Sequence, residues 1–306
     1  VEQRALVSVG IPTFNRPQGL RNLLRCITGQ TYSHLQIIIG DNCSDNDEVA
    51  KVVQDFKGDA RIVYYKHERN LGATYNFQFV LDKSEGEYFM WAADDDRFSL
   101  NYIEANINRL NSGDHLIGSF GVLYSTIGDL IPQEYHLINY QKRYHRIRSY
   151  LLNPSYNMCF YSLFRSAVIK NVSTKRFDFY GGDWFLIAYL LRFGGIVCEP
   201  SSEIYRGDKG LSSDHVRLLN HYYKHSKLRY LPFLRPSGRY LRIDFFSALY
   251  CMDILLLYNF IHMNRALELL APGRYSFFKR MNAVMIKVMQ RIIYLVNKST
   301  LRPQAS

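Results

Sequence analysis

The stretch YFMWAADDDRF, residues 88–98, runs a block of bulky apolar residues straight into three consecutive carboxylates, Asp94, Asp95 and Asp96. An apolar run that hardly alternates reads as a strand buried on both faces, as in a parallel sheet covered by helices. Three adjacent negative charges at the end of such a strand repel one another, so a partner of opposite charge is expected to be held there.

The segments before it carry the same pattern. ALVSVGIPTFNRP opens with a β-type run from Ala5 to Ile11, stopped by Pro12 and Pro17, and Leu20, Leu23, Leu24 and Ile27 then recur at helical spacing. LQIIIGDNCSDND is an apolar strand ending at Asp41, followed by a short helix around 47–57. RIVYYKHERN reads as a third strand, GATYNFQFVLDKSEG as a helix between Gly72 and Gly86, and residues 88–96 as a fourth strand. This alternation predicts an α/β fold: a mostly parallel open sheet with helices on both faces. Asn15 and Arg16, Asp41, Arg69 and Asn70, and Asp94 to Asp96 all fall just beyond strand ends. That edge of an open α/β sheet is where ligands bind. One Asp there would be an ordinary turn or cap residue; four coincident placements point to a site.

Taken in order, VSVGIPTFNR, IIIGDNCSD, RNLGATYNF and YFMWAADDD resemble the N-terminal half of a family-2, GT-A-type glycosyltransferase of the bacterial surface-glycan kind. The likeness covers about residues 5–110 and, through a weaker motif, extends to about 215. It implies an inverting, metal-dependent enzyme that moves a single sugar from a nucleoside-diphosphate sugar, expected to be a UDP-sugar, to a hydroxyl of a glycan or lipid-linked acceptor. The triple-Asp run resembles the family's DxD element, which ligates Mn²⁺ or Mg²⁺. Hard cations prefer carboxylate oxygens, and a bound one relieves the repulsion within the cluster. Asp94 is expected toward ribose or diphosphate and Asp95 or Asp96 on the metal; aligning Phe98 with the family's apolar residue instead leaves Ala93 where the first carboxylate would lie. The competing reading of this run is a solvated, acidic helix start.

By the same resemblance Asp41 presents a carboxylate to a uracil N–H, with Asn42 replacing a second carboxylate, and Pro12 and Thr13 line the base. Asn15, Arg16, Arg69, Asn70 and Gly72 complete the expected nucleotide site, Gly72 opening a helix whose N-terminus suits an anion. In FYGGDWFLIAYLLRFGG, Gly182 stands where the family has Glu, and Asp183 matches the general base. Tyr180, Trp184 and Phe185 are expected to desolvate Asp183 and raise its pKa; as an alternative it caps a helix over 184–193. Arg206 and His215 could close over the diphosphate or stand solvated, and 157–170 reads as a strand feeding a helix on the acceptor wall.

Composition bounds the rest. The chain has 306 residues, 47% hydrophobic and 15% aromatic, which suits a packed core and excludes disorder as the general state. Five scattered cysteines without a CxxC pair point to neither a zinc site nor a disulfide framework. Residues 217–306 hold 15 Lys and Arg against 3 Asp and Glu, a net +12, whereas the first 216 are close to neutral at −1. The expected organisation is 1–110 for the nucleotide sugar, 111–216 for the acceptor, and 217–306 as a basic, amphipathic helical tail. Phe277, Met281, Val284, Met285, Val288, Ile292 and Val296 share one helical stripe flanked by Lys279, Arg280, Lys287 and Arg291. With Phe277 and Phe278 at its end, that stripe suits an anionic membrane surface, or packing against a helix at 244–263 or a neighbouring subunit in a homo-oligomer. DFFSALYCMDILLLYNFIHM is interrupted by Asp244 and Asp253, and no span reaches the ~20 residues that cross a bilayer.

The expected location is cytoplasmic, with a peripheral place on the inner face of the plasma membrane. No cleavable signal pattern is legible, and because the chain starts at Val1 a preceding segment or anchor stays open. A sugar nucleotidyltransferase shares the sheet and acidic rim but would carry a Gly-rich basic loop after the first strand, unlike PTFNRPQG. Nucleic-acid binding through the tail is suggested by a pI near 9.3 but has no recognised motif. The absence of GxGxxG after the first strand argues against a dinucleotide oxidoreductase, and the absence of QxxRW against a processive synthase.

Overall fold

The computed structural model describes residues 4–124, 140–152, 154, 157–207, 215–224, 226–271 and 276–300. It divides into two units, the first built from 1–139, 156–178 and 193–210, the second from 140–155, 179–192 and 211–306.

The first unit holds one eight-stranded sheet among the described residues. Its strands are β1 (Val7–Thr13), β2 (Leu35–Asp41), β3 (Ile62–Lys66), β4 (Tyr88–Trp91), β5 (Arg97–Phe98), β6 (Leu116–Tyr124), β7 (Leu163–Arg165) and β8 (Gly195–Tyr205). In space they run β3-β2-β1-β4-β7-β6-β8-β5. β3, β2, β1 and β4 are parallel, as is the pair β6–β8, while β7 and β5 join antiparallel. Every residue of β1 is buried, the consequence of helices on both faces. Helix α1 (Pro17–Thr28) starts on a proline, whose missing N–H costs nothing in the first turn, and buries Leu20, Leu23, Leu24 and Ile27. α2 (Glu48–Asp55), α3 (Ala73–Asp82), α4 (Tyr102–Asn111) and the single turn α6 (Ser166–Ile169) complete the unit.

The expected parallel half is present with shifted ends. β4 stops at Trp91 because the chain turns at Ala93, whose carbonyl accepts from the Asp96 N–H at 3.1 Å. The triple-Asp run lies in that turn, and α4 begins only at Tyr102, so the run is not a helix start. The 157–170 segment is a 3₁₀ turn at Met158–Tyr161 followed by β7 and α6. β6 and β8 had no clear sequence signal.

The second unit is helical: α5 (Arg143–Leu152), α7 (Gly182–Leu190), α8 (His215–Tyr223), α9 (Leu234–Ile243), α10 (Phe245–Tyr250), α11 (Met252–Leu270) and α12 (Ser276–Thr300). The helix expected at 244–263 is therefore two, α10 being capped by the Asp244 side chain, which accepts from the Ser247 N–H. Asp253 receives a two-pronged bond from the buried Arg148 at 2.8 and 2.6 Å. α12 packs on α11 through a face that includes Asn282 and Ile293, with Asn282 Nδ2 donating to Asn264 Oδ1 at 3.0 Å. The apolar stripe read from the sequence is another face of α12 and stays exposed, which excludes the reading that it packs on the 244–263 helices. The Phe278 side chain lies outside the described residues. No helix among the described residues is long and apolar enough to cross a membrane.

His262 sits in the aromatic core of this unit, 8% exposed, with its ring stacked 4.7 Å from Phe233 and its Nδ1 3.1 Å from the Tyr180 hydroxyl. Burial pushes its imidazole down to about 4, with the Arg265 charge adding to the effect. An unfolded histidine titrates near ~6.5, so on acidification the unfolded chain takes up a proton that the folded one refuses. The stability this supplies is complete above about pH 6.5 and is lost progressively toward pH 4. Urea unfolding of the wild type and His262→Gln should show their stability difference shrinking by on the order of 3 kcal/mol between pH 7.5 and 4. An unchanged difference would mean that His262 is not held neutral.

Candidate active site

β1 lies between β2 and β4, which places the switch in strand order at the carboxyl ends of β1 and β4. Thr13, the last residue of β1, donates from Oγ1 to Asp94 Oδ2 at 2.7 Å, a buried bond across 81 positions of sequence. Arg16, just ahead of α1, donates to the other Asp94 oxygen at 2.8 Å and reaches Asp95 Oδ2 at 3.3 Å. Asp96 is turned the other way, accepting from the Gly207 N–H at 2.8 Å beyond the end of β8. The three adjacent carboxylates are thus held by different devices.

Their surroundings differ accordingly. Burial raises the Asp94 carboxyl, against the pull of Arg16 and Thr13. Asp96, 4% exposed, is pushed by burial up to about 7; the Gly207 N–H and the Arg206 charge oppose this and its acidic neighbours add to it. Asp95 is half-buried between them. Two glycines permit this packing. A Cβ on Gly19 would lie 2.1 Å from the Asp94 carbonyl oxygen, and one on Gly207 2.4 Å from that of Asp95. Only residues without a side chain let α1 and the segment after β8 close on the carboxylate turn.

On the other flank Asp41 is fully buried. Its Oδ1 accepts from the Ser44 N–H and hydroxyl at 2.9 and 2.6 Å, and its Oδ2 from the Tyr64 hydroxyl at 2.8 Å. A carboxylate offers about four acceptor positions, so these bonds occupy most of them. Asn15, with φ 56°, exchanges bonds with Asp45 and donates its N–H to Ser44 Oγ at 2.9 Å. Asn42 donates to Asn70 Oδ1 at 3.0 Å and accepts from the Leu71 N–H, and Asn70 Oδ1 also accepts from the N–H of Gly72. Gly72 carries φ 88° as it opens α3, a conformation L side chains avoid. Pro12 is buried within β1, and Arg69 is exposed on the same loop as Asn70.

The structure therefore brings Thr13, Arg16, Asp94, Asp95 and Asp96 together, and joins Asn15 to Asp41 through Ser44. Sequence reasoning missed Ser44, Tyr64, Gly19 and Gly207. Ser44 could have been found, because its N–H three residues after Asp41 has the spacing of a side-chain cap; the others come from distant chain segments. Asp183, in the second unit, lies in the first turn of α7, whose N-cap is Gly181 rather than Asp183. Asp183 is exposed, and its aromatic neighbours turn into the core instead of covering it: Tyr180 toward His262, Phe185 toward Tyr240, Trp184 toward Phe233. Arg206 neighbours Asp96; His215 opens α8, and residues 208–214 between them lie outside the described residues.

Among the described residues no three His, Cys, Asp or Glu side chains converge as a ready metal cage. A cation bound together with a diphosphate needs only one or two protein carboxylates. Asp95 and Asp96 fit that demand: one is half-buried, and the other is raised by burial in the way a nearby cation would relieve.

The model for "Glycosyl transferase family 2" matches residues 8–173. A relative in Campylobacter jejuni, named GalNAc(5)-diNAcBac-PP-undecaprenol beta-1,3-glucosyltransferase, is 28% identical over 205 residues, covering 65% of this chain and 64% of its own. The chain thus spans less than two thirds of that relative's length. Among solved structures, Staphylococcus aureus TarS 1-349 in complex with UDP-GlcNAc superposes with a TM-score of 0.55 at 12% identity, covering 97% of this chain and 92% of the other. The mannosyltransferase PcManGT of Pyrobaculum calidifontis, with GDP-Man and Mn2+, gives 0.56 at 12% identity, covering 98% and 89%. At such identities these two likenesses speak for the fold, a GT-A-type sheet.

Proposed function

Since the chain belongs to glycosyl transferase family 2, we propose that it is an inverting, metal-dependent enzyme of bacterial surface-glycan assembly. It would move one sugar from a UDP-sugar to a hydroxyl of a glycan or lipid-linked acceptor. The observation that carries this reading is the clamp of Thr13 and Arg16 on Asp94 at the β1–β4 switch, with Asp95 and Asp96 beside it. Support for the donor comes from the UDP-GlcNAc bound by TarS, and for a lipid-linked acceptor from the name of the Campylobacter relative. A peripheral place on the inner face of the plasma membrane, where lipid-linked acceptors are presented, belongs to the same proposal.

In this reading residues 1–110 hold the nucleotide, 111–216 the acceptor, and 217–306 form the tail. Pro12, Thr13, Asn15, Arg69, Asn70 and Gly72 line the nucleotide, and Asp41 sets the base preference through the Ser44–Tyr64 network that orients it. Arg16, donating to Asp94 at 2.8 Å, favours its charged form against the effect of burial and aims it at the ribose or diphosphate. Asp95 and Asp96 would hold Mn²⁺ or Mg²⁺, which when bound neutralises charge on the diphosphate. Asp183 takes the proton of the acceptor hydroxyl as its oxygen bonds to the anomeric carbon and the bond to the diphosphate oxygen breaks.

The test is a melting-temperature screen of UDP-, GDP- and dTDP-sugars with and without Mn²⁺. A ligand that binds only the folded protein stabilises it by about 2.7 kcal/mol at a hundred times its Kd. A UDP-sugar plus Mn²⁺ should raise the melting point by several degrees and GDP-sugars by much less. No response to any nucleotide sugar would remove the reading.

A further inference from the structure

Helix α12 presents two unlike faces. Asn282 and Ile293, 2% and 5% exposed, belong to the face held within the second unit, together with Asn297, whose Oδ1 accepts from Arg148 Nε at 2.7 Å. Away from that seam, Met281, Val284, Met285, Val288, Ile292 and Leu295 are 46, 60, 38, 46, 43 and 58% exposed. Their spacing sets them on one contiguous arc at 3.6 residues per turn. Arg280, Lys287 and Arg291, all exposed, fall together along one edge of that arc. The helix has five Lys and Arg and no Asp or Glu.

An apolar stripe of this kind on a surface marks an interaction site. Charge decides between the two occupants that suit a helix face. A second copy packing through the same arc would add its own five basic residues to these five, with no acidic side chain on either helix to pair with them. In 217–306 the acidic residues are Asp244, which is buried, Asp253, which holds Arg148, and Glu268. A sheet of phosphate headgroups over hydrocarbon complements both the basic edge and the apolar arc.

We propose that this face of α12 lies flat on an anionic phospholipid bilayer, with the apolar arc at the acyl boundary and Arg280, Lys287 and Arg291 among the phosphates. At about 1.5 Å per residue the helix would lie along ~37 Å of membrane surface. The proposal deepens the peripheral placement given above and rests on it for its purpose, yet binding is measurable without any sugar transfer.

The experiment is co-sedimentation of the whole chain with vesicles of phosphatidylglycerol and phosphatidylcholine, or of phosphatidylcholine alone, at low and high salt. Two variants alter exposed positions only: R280Q/K287Q/R291Q removes the basic edge, and V284S/V288S interrupts the arc. R25Q/K51Q/K57Q removes as many exposed positive charges from the first unit and serves as the control. The wild type and the control should pellet with the anionic vesicles at low salt and stay in solution with phosphatidylcholine. The basic-edge variant should lose about a hundredfold in affinity, and the arc variant about tenfold. Equal partitioning of all four proteins would overturn the proposal. So would a dimer, seen by light scattering, that the arc variant breaks while no protein binds vesicles. The shift in melting point with UDP and Mn²⁺ is recorded for each protein: its loss with vesicle binding intact counts against the glycosyltransferase reading alone, and the converse against the membrane surface alone.

Discussion

Asp96→Asn is expected to lower sugar transfer about a thousandfold while the protein melts at or above the wild-type temperature. Asparagine keeps an oxygen for the Gly207 N–H, 2.8 Å away, and removes only the charge. The loss has the size found when a group stabilising a developing charge is deleted. The rise in stability follows from linkage. The Asp96 carboxyl, about 4 in an unfolded chain, is pushed up to about 7 by burial. Between those values the folded protein keeps a proton that the unfolded chain has released, so its stability falls as pH rises from about 4 to 7 and the cost is complete above 7. The uncharged variant escapes that cost at pH 8. Asp95→Asn should lose activity similarly with little change in melting, because Asp95 is half-buried and shares Arg16 at 3.3 Å. Steady-state rates, melting curves at pH 5 and 8, and an EDTA titration with Mn²⁺ rescue check the set. Full turnover by folded protein in excess EDTA would end the metal role, and normal transfer by Asp96→Asn would make this residue a structural one.

Asp183→Asn should keep donor binding and lose transfer by about three orders of magnitude, the scale of a missing general base. The position is exposed and Gly181, not Asp183, is the N-cap of α7, so folding should hardly change. Calorimetry with UDP-sugar and Mn²⁺ would report binding; single-turnover assays across pH would report transfer. Near-normal transfer with normal binding would leave Asp183 as a surface residue of the first turn, and the base would have to be sought elsewhere.

The parallel half of the sheet was legible because its signals are local. An apolar strand, a turn and an amphipathic helix each show within a dozen residues, and Leu20, Leu23, Leu24 and Ile27 are buried as their spacing implies. A strand feeding a helix was read within 157–170, where β7 and α6 lie, but its antiparallel pairing was not legible. β7 is three residues long and meets β4 and β6 from 44 or more positions away, so no short window of sequence contains its partners. The same limit applies in the helical unit, where the buried Arg148 pairs with Asp253 across 105 positions and only the fold brings α5 and α11 together.

For the site, residue type and position along the chain announced a carboxylate rim, since three successive Asp residues after a buried strand are chemically conspicuous on their own. Their separate fates were decided by tertiary structure. Asp94 meets Thr13 and Arg16 from β1 and its loop, whereas Asp96 meets Gly207 at 111 positions' distance. Burial and hydrogen bonding, which set whether such a group is charged, depend on what the distant chain delivers. Asp183 shows the converse: its aromatic neighbours in sequence suggested burial, but helical geometry turns them inward and leaves it exposed. For α12 the sequence determined by itself that an apolar arc exists, that basic residues border it and that no acid balances them. Which face would pack was a tertiary decision, because Asn264 and Arg148 are placed to bond Asn282 and Asn297, and that seam turns the more apolar arc to the solvent.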